Sequence, residues 1–278
     1  MATYRARVRA RNHVAAFIKS FYRRSDMSML ELTPDFIKEF AAYLSTEAGL
    51  RNGSIWANCM WLKGVVMKAH YNGLIPRNPF IQVHISPNVK EREYLTEDEL
   101  KAVMTHEFAD SKLAYIRDIF IFASFTALSF VDIQELTNDN IVEVNGEKWI
   151  LSKRHKTKVA FQVKLLDIPL QIVERYRPMQ KDNRIFPGLN YWSICKPLKR
   201  MIRECGITKS ISFHCSRHGF ATLALSKGMP IESVSRVLGH TNIVTTQLYA
   251  KITTQKLDND LTMFGDKLSK TFNGITMS

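Results

Sequence analysis

Apolar residues recur at helical spacing through most of the chain and at strand spacing only in a short middle stretch. Residues 13–22 carry such a helical face. Thr33 followed by Pro34 is an N-cap with proline at the first helical position, and predicts a helix to about Thr46. Ser54 predicts the cap of another, running through Trp56, Met60, Leu62, Val66 and Met67 to Tyr71, where Asn72-Gly73 ends it. Ile75-Pro76-Arg77-Asn78-Pro79 cannot continue a helix, because each proline removes an N–H and restricts its predecessor. Nothing is periodic from there to about Val89. The pattern therefore predicts a helical domain over residues 1–74 and a linker over 75–91.

Thr96 and Glu99 form a capping box, so a second domain is expected over residues 92–278. It opens with predicted helices at about 96–106 and 111–127. Ile141-Val142-Glu143-Val144 and Lys148-Trp149-Ile150-Leu151 flank Asn145-Gly146, a strong hairpin signal. A third strand, about Val159 to Leu166, follows a basic turn, Lys153-Arg154-His155-Lys156-Thr157-Lys158. After Pro169 the pattern is helical again to about residue 268. The fold class expected is mainly α with a small antiparallel β-sheet, in two domains.

Charge narrows the function. The 278 residues hold 39 Lys and Arg against 26 Asp and Glu, a net +13. Residues 1–93 carry +7 of that excess, and the first 25 residues hold seven basic groups and no acid. A balance this basic points to a polyanion, nucleic acid first and an anionic membrane surface second, the alternative being a merely basic surface. Hydrophobic residues at 45% exclude a mostly disordered chain. The longest uncharged apolar-rich run, Ile119 to Val131, is 13 residues. A membrane span needs about 20, so this run reads as a buried core helix and no membrane is expected. The four cysteines show no CxxC pair and read as reduced thiols of a cytosolic protein.

Four features then stand in order: the basic turn at 153–158, His214-Cys215-Ser216-Arg217, Leu238-Gly239-His240, and Tyr249, nine residues after His240. Together they resemble the C-terminal signature of the tyrosine recombinases, or phage integrases: H-x-x-R, then L-G-H, then a tyrosine nine residues on. Arg92 to Leu100 is similar to the start of the family's catalytic domain. Gly73 to Phe80 is similar to the end of its helical core-binding, SAM-like domain. The resemblance covers about residues 10–265.

These residue types suit metal-free phosphodiester chemistry, which needs a nucleophile, a proton donor for the leaving oxygen, and cations around the non-bridging oxygens. Tyr249 can supply the nucleophile, conserving the bond as a phosphotyrosine ester. Arg217 can grip two oxygens through its planar fork. His214 can orient the phosphate or take the tyrosine proton, His240 can donate to another oxygen, and Lys156 can protonate the leaving 5′ oxygen. The resemblance implies the same roles. Lys153 and Lys158 are rivals for Lys156. His214 and His218, four apart, look like half of a metal site but lack the HExxH glutamate, since Cys215 stands there; His218 reads as a structural helix residue. No cofactor is expected: the chemistry requires no metal, and no GxxxxGK[ST] loop is present.

Two departures from the family stand out. Its first arginine is replaced by Ser129, and its glycine two residues earlier by Ala127; Asp132 matches the acidic residue that orients charged groups. Arg154 is the candidate substitute, because residues two apart on a strand edge point the same way and Arg154 and Lys156 would both face the phosphate. The alternative is that Arg154 contacts DNA backbone elsewhere. An Arg-x-Lys-Thr turn with this arginine missing is similar to integrases of mobile elements in the Bacteroidetes group. The second departure is that there is no room for the arm-binding domain many integrases carry.

The resemblance implies an enzyme, a site-specific recombinase acting through a 3′-phosphotyrosyl intermediate in integration, excision or inversion. Its partners would be double-stranded DNA, three further copies in a tetramer on paired sites, and accessory DNA-bending proteins. The expected place of action is the cytoplasm, on the nucleoid. DNA contacts are expected from Arg5, Arg7, Arg9, Arg11, Lys63, Lys153 and Lys158, although Arg5 to Arg11 would equally suit a solvated start. Leu257, Leu261, Phe264 and Leu268 form an amphipathic tail, which in the family docks on a neighbouring protomer. Two alternatives share the fold: a DNA-binding protein without catalysis, favoured by Ser129, and a topoisomerase-like enzyme that nicks and reseals.

Overall fold

The structure is a computed structural model that describes residues 2–86, 93–180, 182–249, 254–271 and 273. The chain forms two compact units, Met1–Glu91 and Arg92–Ser278.

The first unit holds α1 (Ala2–Phe21), α2 (Pro34–Thr46) and α3 (Asn52–Tyr71). The Thr33 hydroxyl accepts from the Phe36 amide at 3.1 Å, so α2 starts where the Thr-Pro pair predicts. Helix α1 begins well before residue 13. Ala2, Ala6 and Ala10 alternate with arginines, all good helix formers, and no Gly or Pro interrupts them. Arg5, Arg7, Arg9 and Arg11 are exposed along it. Helix α3 starts two residues before Ser54, and its N-cap Arg51 makes no side-chain capping bond. Phe17, Phe36, Ile37, Phe40, Leu44, Cys59 and Val66 fill the core. Ile75 and Phe80 are buried in that same core. The predicted linker is therefore corrected at its start: α3 ends at Asn72-Gly73, and Pro76 and Pro79 keep the following chain from resuming a helix without stopping its packing. A short 3-10 turn, Pro79–Gln82, is capped by Asn78, whose side chain accepts from the Phe80 amide at 3.0 Å. Residues 87–92 lie outside the described residues.

The second unit opens on α4 (Glu97–Thr105), with the capping box formed. The Thr96 hydroxyl accepts from the Glu99 amide at 3.2 Å, and the Glu99 carboxylate accepts from the Thr96 amide at 2.7 Å. Helix α5 (Ser111–Thr126) is buried nearly all round, as the apolar run at 119–131 predicts, and packs against the later helices Asp167–Tyr176, Tyr191–Glu204 and Cys215–Ser226. Its buried Asp118 accepts from Arg117, Arg175 and the Tyr176 hydroxyl, which satisfies the carboxylate. Helix α6 (Phe130–Gln134) leads to the sheet. Strands β1 (Ile141–Val144), β2 (Glu147–Lys153) and β3 (Ala160–Lys164) form an antiparallel sheet in that order, with Val144 opposite Glu147 and Lys153 opposite Ala160. Asn145 and Gly146 both take positive φ, 53° and 77°, as a two-residue hairpin turn requires.

The C-terminal stretch divides into α7 (Asp167–Tyr176), α8 (Tyr191–Glu204), α9 (Cys215–Ser226), α10 (Ile231–Leu238), α11 (Val244–Gln247) and α12 (Thr254–Thr271). A small separate core of Ala127, Ala221, Leu225, Val234 and Leu238 joins the end of α5 to α9 and α10. Leu257, Leu261, Phe264 and Leu268 of α12 are exposed. Among the described residues no helix is long and apolar enough to cross a membrane.

Candidate active site

A helix leaves its last carbonyls without intrahelical partners, and the end of α10 uses two of them. The Val237 carbonyl accepts from Arg154 Nη2 at 2.5 Å. The Leu238 carbonyl accepts from Arg217 Nη2. Two guanidinium groups are thus gathered at the negative end of one helix. Arg217 also donates from Nη1 to the Ala127 carbonyl at 3.0 Å. Ala127 ends α5 in the left-handed conformation, φ 56°, which turns that carbonyl toward Arg217. A β-carbon there is strained, and a glycine at 127 would relieve it.

Ser129 caps α6. Its hydroxyl donates to Asp132 Oδ2 at 2.8 Å, and its oxygen faces the Asp132 amide at 3.4 Å. Asp132 Oδ2 also accepts from Arg154 Nη1 at 2.8 Å, and Oδ1 from the His155 amide at 3.0 Å. Burial pushes the Asp132 carboxyl up, but the His155 amide, Arg154 and Ser129 outweigh it and hold it below the usual range. Arg154 is 5% exposed and lies over the Phe161 ring, 4.0 Å from its centroid. Its Nε is the one buried side-chain nitrogen or oxygen without a hydrogen-bond partner among the described residues.

Gly239 is required twice. It caps α10 at φ 62°, and a β-carbon there would stand 2.9 Å from Arg154 Nε and 3.0 Å from its Cγ. Gly239→Ala should therefore lose roughly 1–2 kcal/mol to backbone strain alone. It should lose more beyond that, because Arg154 must shift. Denaturant unfolding of Gly239→Ala against wild type checks this.

His240 follows directly. Its Nδ1 lies 2.8 Å from the hydroxyl of the buried Thr246. With that hydroxyl donating, the neutral ring carries its proton on Nε2 and presents a donor. Burial, then the charges of Arg217, Arg154 and His214, push His240 down from 6.5 to about 4. The unfolded chain thus binds more protons than the folded one between about pH 6.5 and 4. Stability contributed by His240 is present above that window and is lost as pH falls through it. The urea midpoint should drop between pH 6.5 and 4, and His240→Asn should flatten that drop.

His214 is exposed at the start of α9, and Arg217 and the buried His218 follow within one turn. Tyr249 comes after α11, its amide donating to the Thr246 carbonyl at 3.0 Å. Its ring is half-buried on the small core at α9 and α10. Burial, and then the Arg154 charge, push Arg217 down to about 10, against the opposite pull of Tyr249 and Asp132. Arg154, Arg217, His214, His240 and Tyr249 thus share one electrostatic neighbourhood.

The basic turn differs from expectation. Strand β2 stops at Lys153, so strand alternation does not reach Arg154 and Lys156. The Arg154 amide donates to the Val159 carbonyl and the Lys158 amide to the Arg154 carbonyl, both at 2.8 Å, closing a tight turn in which Lys158 has φ 58°. Arg154 is turned inward, while Lys156 is exposed with Lys153 and Lys158. Lys63 is half-buried on α3 of the other unit. Sequence reasoning missed Thr246, Phe161 and the Val237 and Leu238 carbonyls. Only Thr246 left a signal, standing six residues beyond His240.

Residues 93–256 match the phage integrase family, and residues 1–85 match the phage integrase SAM-like domain. The tyrosine recombinase XerA of Pyrococcus horikoshii is 32% identical over 177 residues, 59% of this chain and 58% of that protein. The tyrosine recombinase XerC of Lactobacillus leichmannii is 25% identical over 229 residues, 77% of each chain. In fold, the chain is similar to the Tn1549 transposon integrase in complex with a circular intermediate DNA, with a TM-score of 0.76, 18% identity, and 91% of this chain and 92% of that one covered. The XerH recombinase bound to palindromic difH gives 0.67 at 19% identity, covering 90% and 77%. The HxxR, LGH and tyrosine elements stand within residues 93–256, and the chain belongs to the phage integrase family, the tyrosine recombinases.

Proposed function

We propose that the chain cleaves and rejoins duplex DNA at specific sites through Tyr249. The observation that carries this reading is the pair of guanidinium groups, Arg154 and Arg217, held at the end of α10 in the electrostatic neighbourhood of Tyr249. The Tyr249 hydroxyl attacks the scissile phosphorus, and the bond to the 5′ oxygen breaks. His214 takes the phenol proton, and Lys156 gives one to the leaving oxygen. Arg217 and Nε2 of His240 hold non-bridging oxygens, whose charge grows in the transition state. The product is a 3′-phosphotyrosyl ester, and reversal on a second strand rejoins DNA without loss of bond energy.

Arg154 stands in for the arginine that Ser129 replaces. Its place beside Arg217 at the end of α10 supports this role over a DNA-backbone contact elsewhere. Ser129 supports it indirectly, by donating to the carboxylate that holds Arg154. Lys153 and Lys158, flanking Lys156, contact DNA backbone, as do Arg5, Arg7, Arg9, Arg11 and Lys63 from the first unit. Four protomers assemble on two sites, with accessory bending proteins where the sites require them. The exposed apolar residues of α12 suit docking on a neighbouring protomer. The work is done on chromosomal DNA in the cytoplasm.

Recombination and simple nicking-resealing separate on site number. Plasmids carrying one or two copies of the DNA that flanks the gene should give recombinant product only with two. Relaxation of one-site plasmids, with no product from two-site plasmids, would favour the topoisomerase-like activity.

A further inference from the structure

His218 is buried, 8% exposed, on α9 directly after Arg217. Its ring touches two of the groups assigned to the reaction. The His214 ring lies 4.6 Å away with the planes at 86°, and the Tyr249 ring 5.2 Å away with the planes at 46°. The small core beneath Tyr249 is built on Ala127, Ala221, Leu225, Val234 and Leu238. Aliphatic groups of that kind bury a ring without fixing its plane, whereas a flat aromatic neighbour restrains its rotation.

The geometry points to His218 as a positioning residue for the nucleophile: a shelf that sets the plane of the Tyr249 phenol and keeps it in register with His214. The inference rests on Tyr249 being the nucleophile. In-line attack tolerates little error, since a misplacement of about 1 Å can cost roughly 100-fold in rate. The role inferred for His218 lies in the face of its ring. A phenylalanine at 218 provides the same flat face and no nitrogen; a leucine provides neither.

The test is the single-turnover rate of SDS-resistant adduct formation on nicked duplexes carrying the DNA that flanks the gene. Full-length wild type, Tyr249→Phe, His218→Leu and His218→Phe are compared, each below its own melting temperature, with DNA affinity measured in parallel. His218→Leu should slow adduct formation by roughly 100-fold at unchanged DNA affinity, and His218→Phe should restore the rate. A merely structural histidine would not separate these two variants in that way. A wild-type rate in His218→Leu would overturn the inference. So would a folded His218→Phe as slow as the leucine variant, which would assign the role to a ring nitrogen. Failure of both variants to fold would also overturn it, by placing His218 in the core. An absent adduct from the wild type would sink the Tyr249 reading itself, a separate result.

Discussion

Tyr249→Phe should abolish strand cleavage and joint-molecule formation while leaving DNA affinity and folding close to wild type. The substitution removes one oxygen and keeps the ring. That ring packs on the small core at α9 and α10 and against His218, so both contacts survive. What goes is the atom proposed to form the phosphoester, and in that proposal His214, His240, Arg154 and Arg217 hold protons or oxygens and do not replace it. Gel-shift affinity, thermal unfolding and product yield on paired sites check the three parts separately. Residual product above background would show that another side chain attacks.

Arg154→Ala should fail in two ways at once. A charged donor aimed at a transition-state phosphate is worth roughly 100- to 1,000-fold in rate. Asp132 would also be left buried without its ion pair, at a cost of about 3–5 kcal/mol. The pair is 2.8 Å long and both members are buried, so little solvent screening softens the loss. A double variant separates the effects. Arg154→Ala with Asp132→Ala removes both charges and should recover much of the stability. It should not recover cleavage, because the cation is still missing. Cleavage near wild type in a folded Arg154→Ala protein, with weakened DNA binding, would instead return Arg154 to a backbone contact.

Much of this was legible in the sequence because the signals were local. The Thr96–Glu99 box, the Thr33-Pro34 start and the Asn145-Gly146 turn each depend on residues within three or four positions, and each stands where its chemistry predicts. The HxxR and LGH elements and the tyrosine were legible as short motifs in a fixed order over residues 214–249. What stayed hidden was tertiary. Proline marks the end of a helix, and it says nothing about whether Ile75 and Phe80 are then buried. Strand alternation placed Arg154 and Lys156 together, but the strand ends at Lys153, before either of them. The hold on the two guanidinium groups comes from backbone carbonyls of α10 and α5, and a carbonyl carries no sequence signature. Gly239 was visible as a motif residue. Its reason, room for Arg154, appears only with the side chain in place.

The most direct test of the central claim is to locate the covalent bond. Wild-type protein would be trapped on a nicked duplex, the adduct digested with nuclease and trypsin, and the modified peptide sequenced by mass spectrometry. Cleavage after Arg236 and Lys251 releases residues 237–251, which contain one tyrosine. The account predicts a nucleotide phosphate on Tyr249 in that peptide. A phosphate on any other residue, or DNA cut with no covalent peptide, would contradict it.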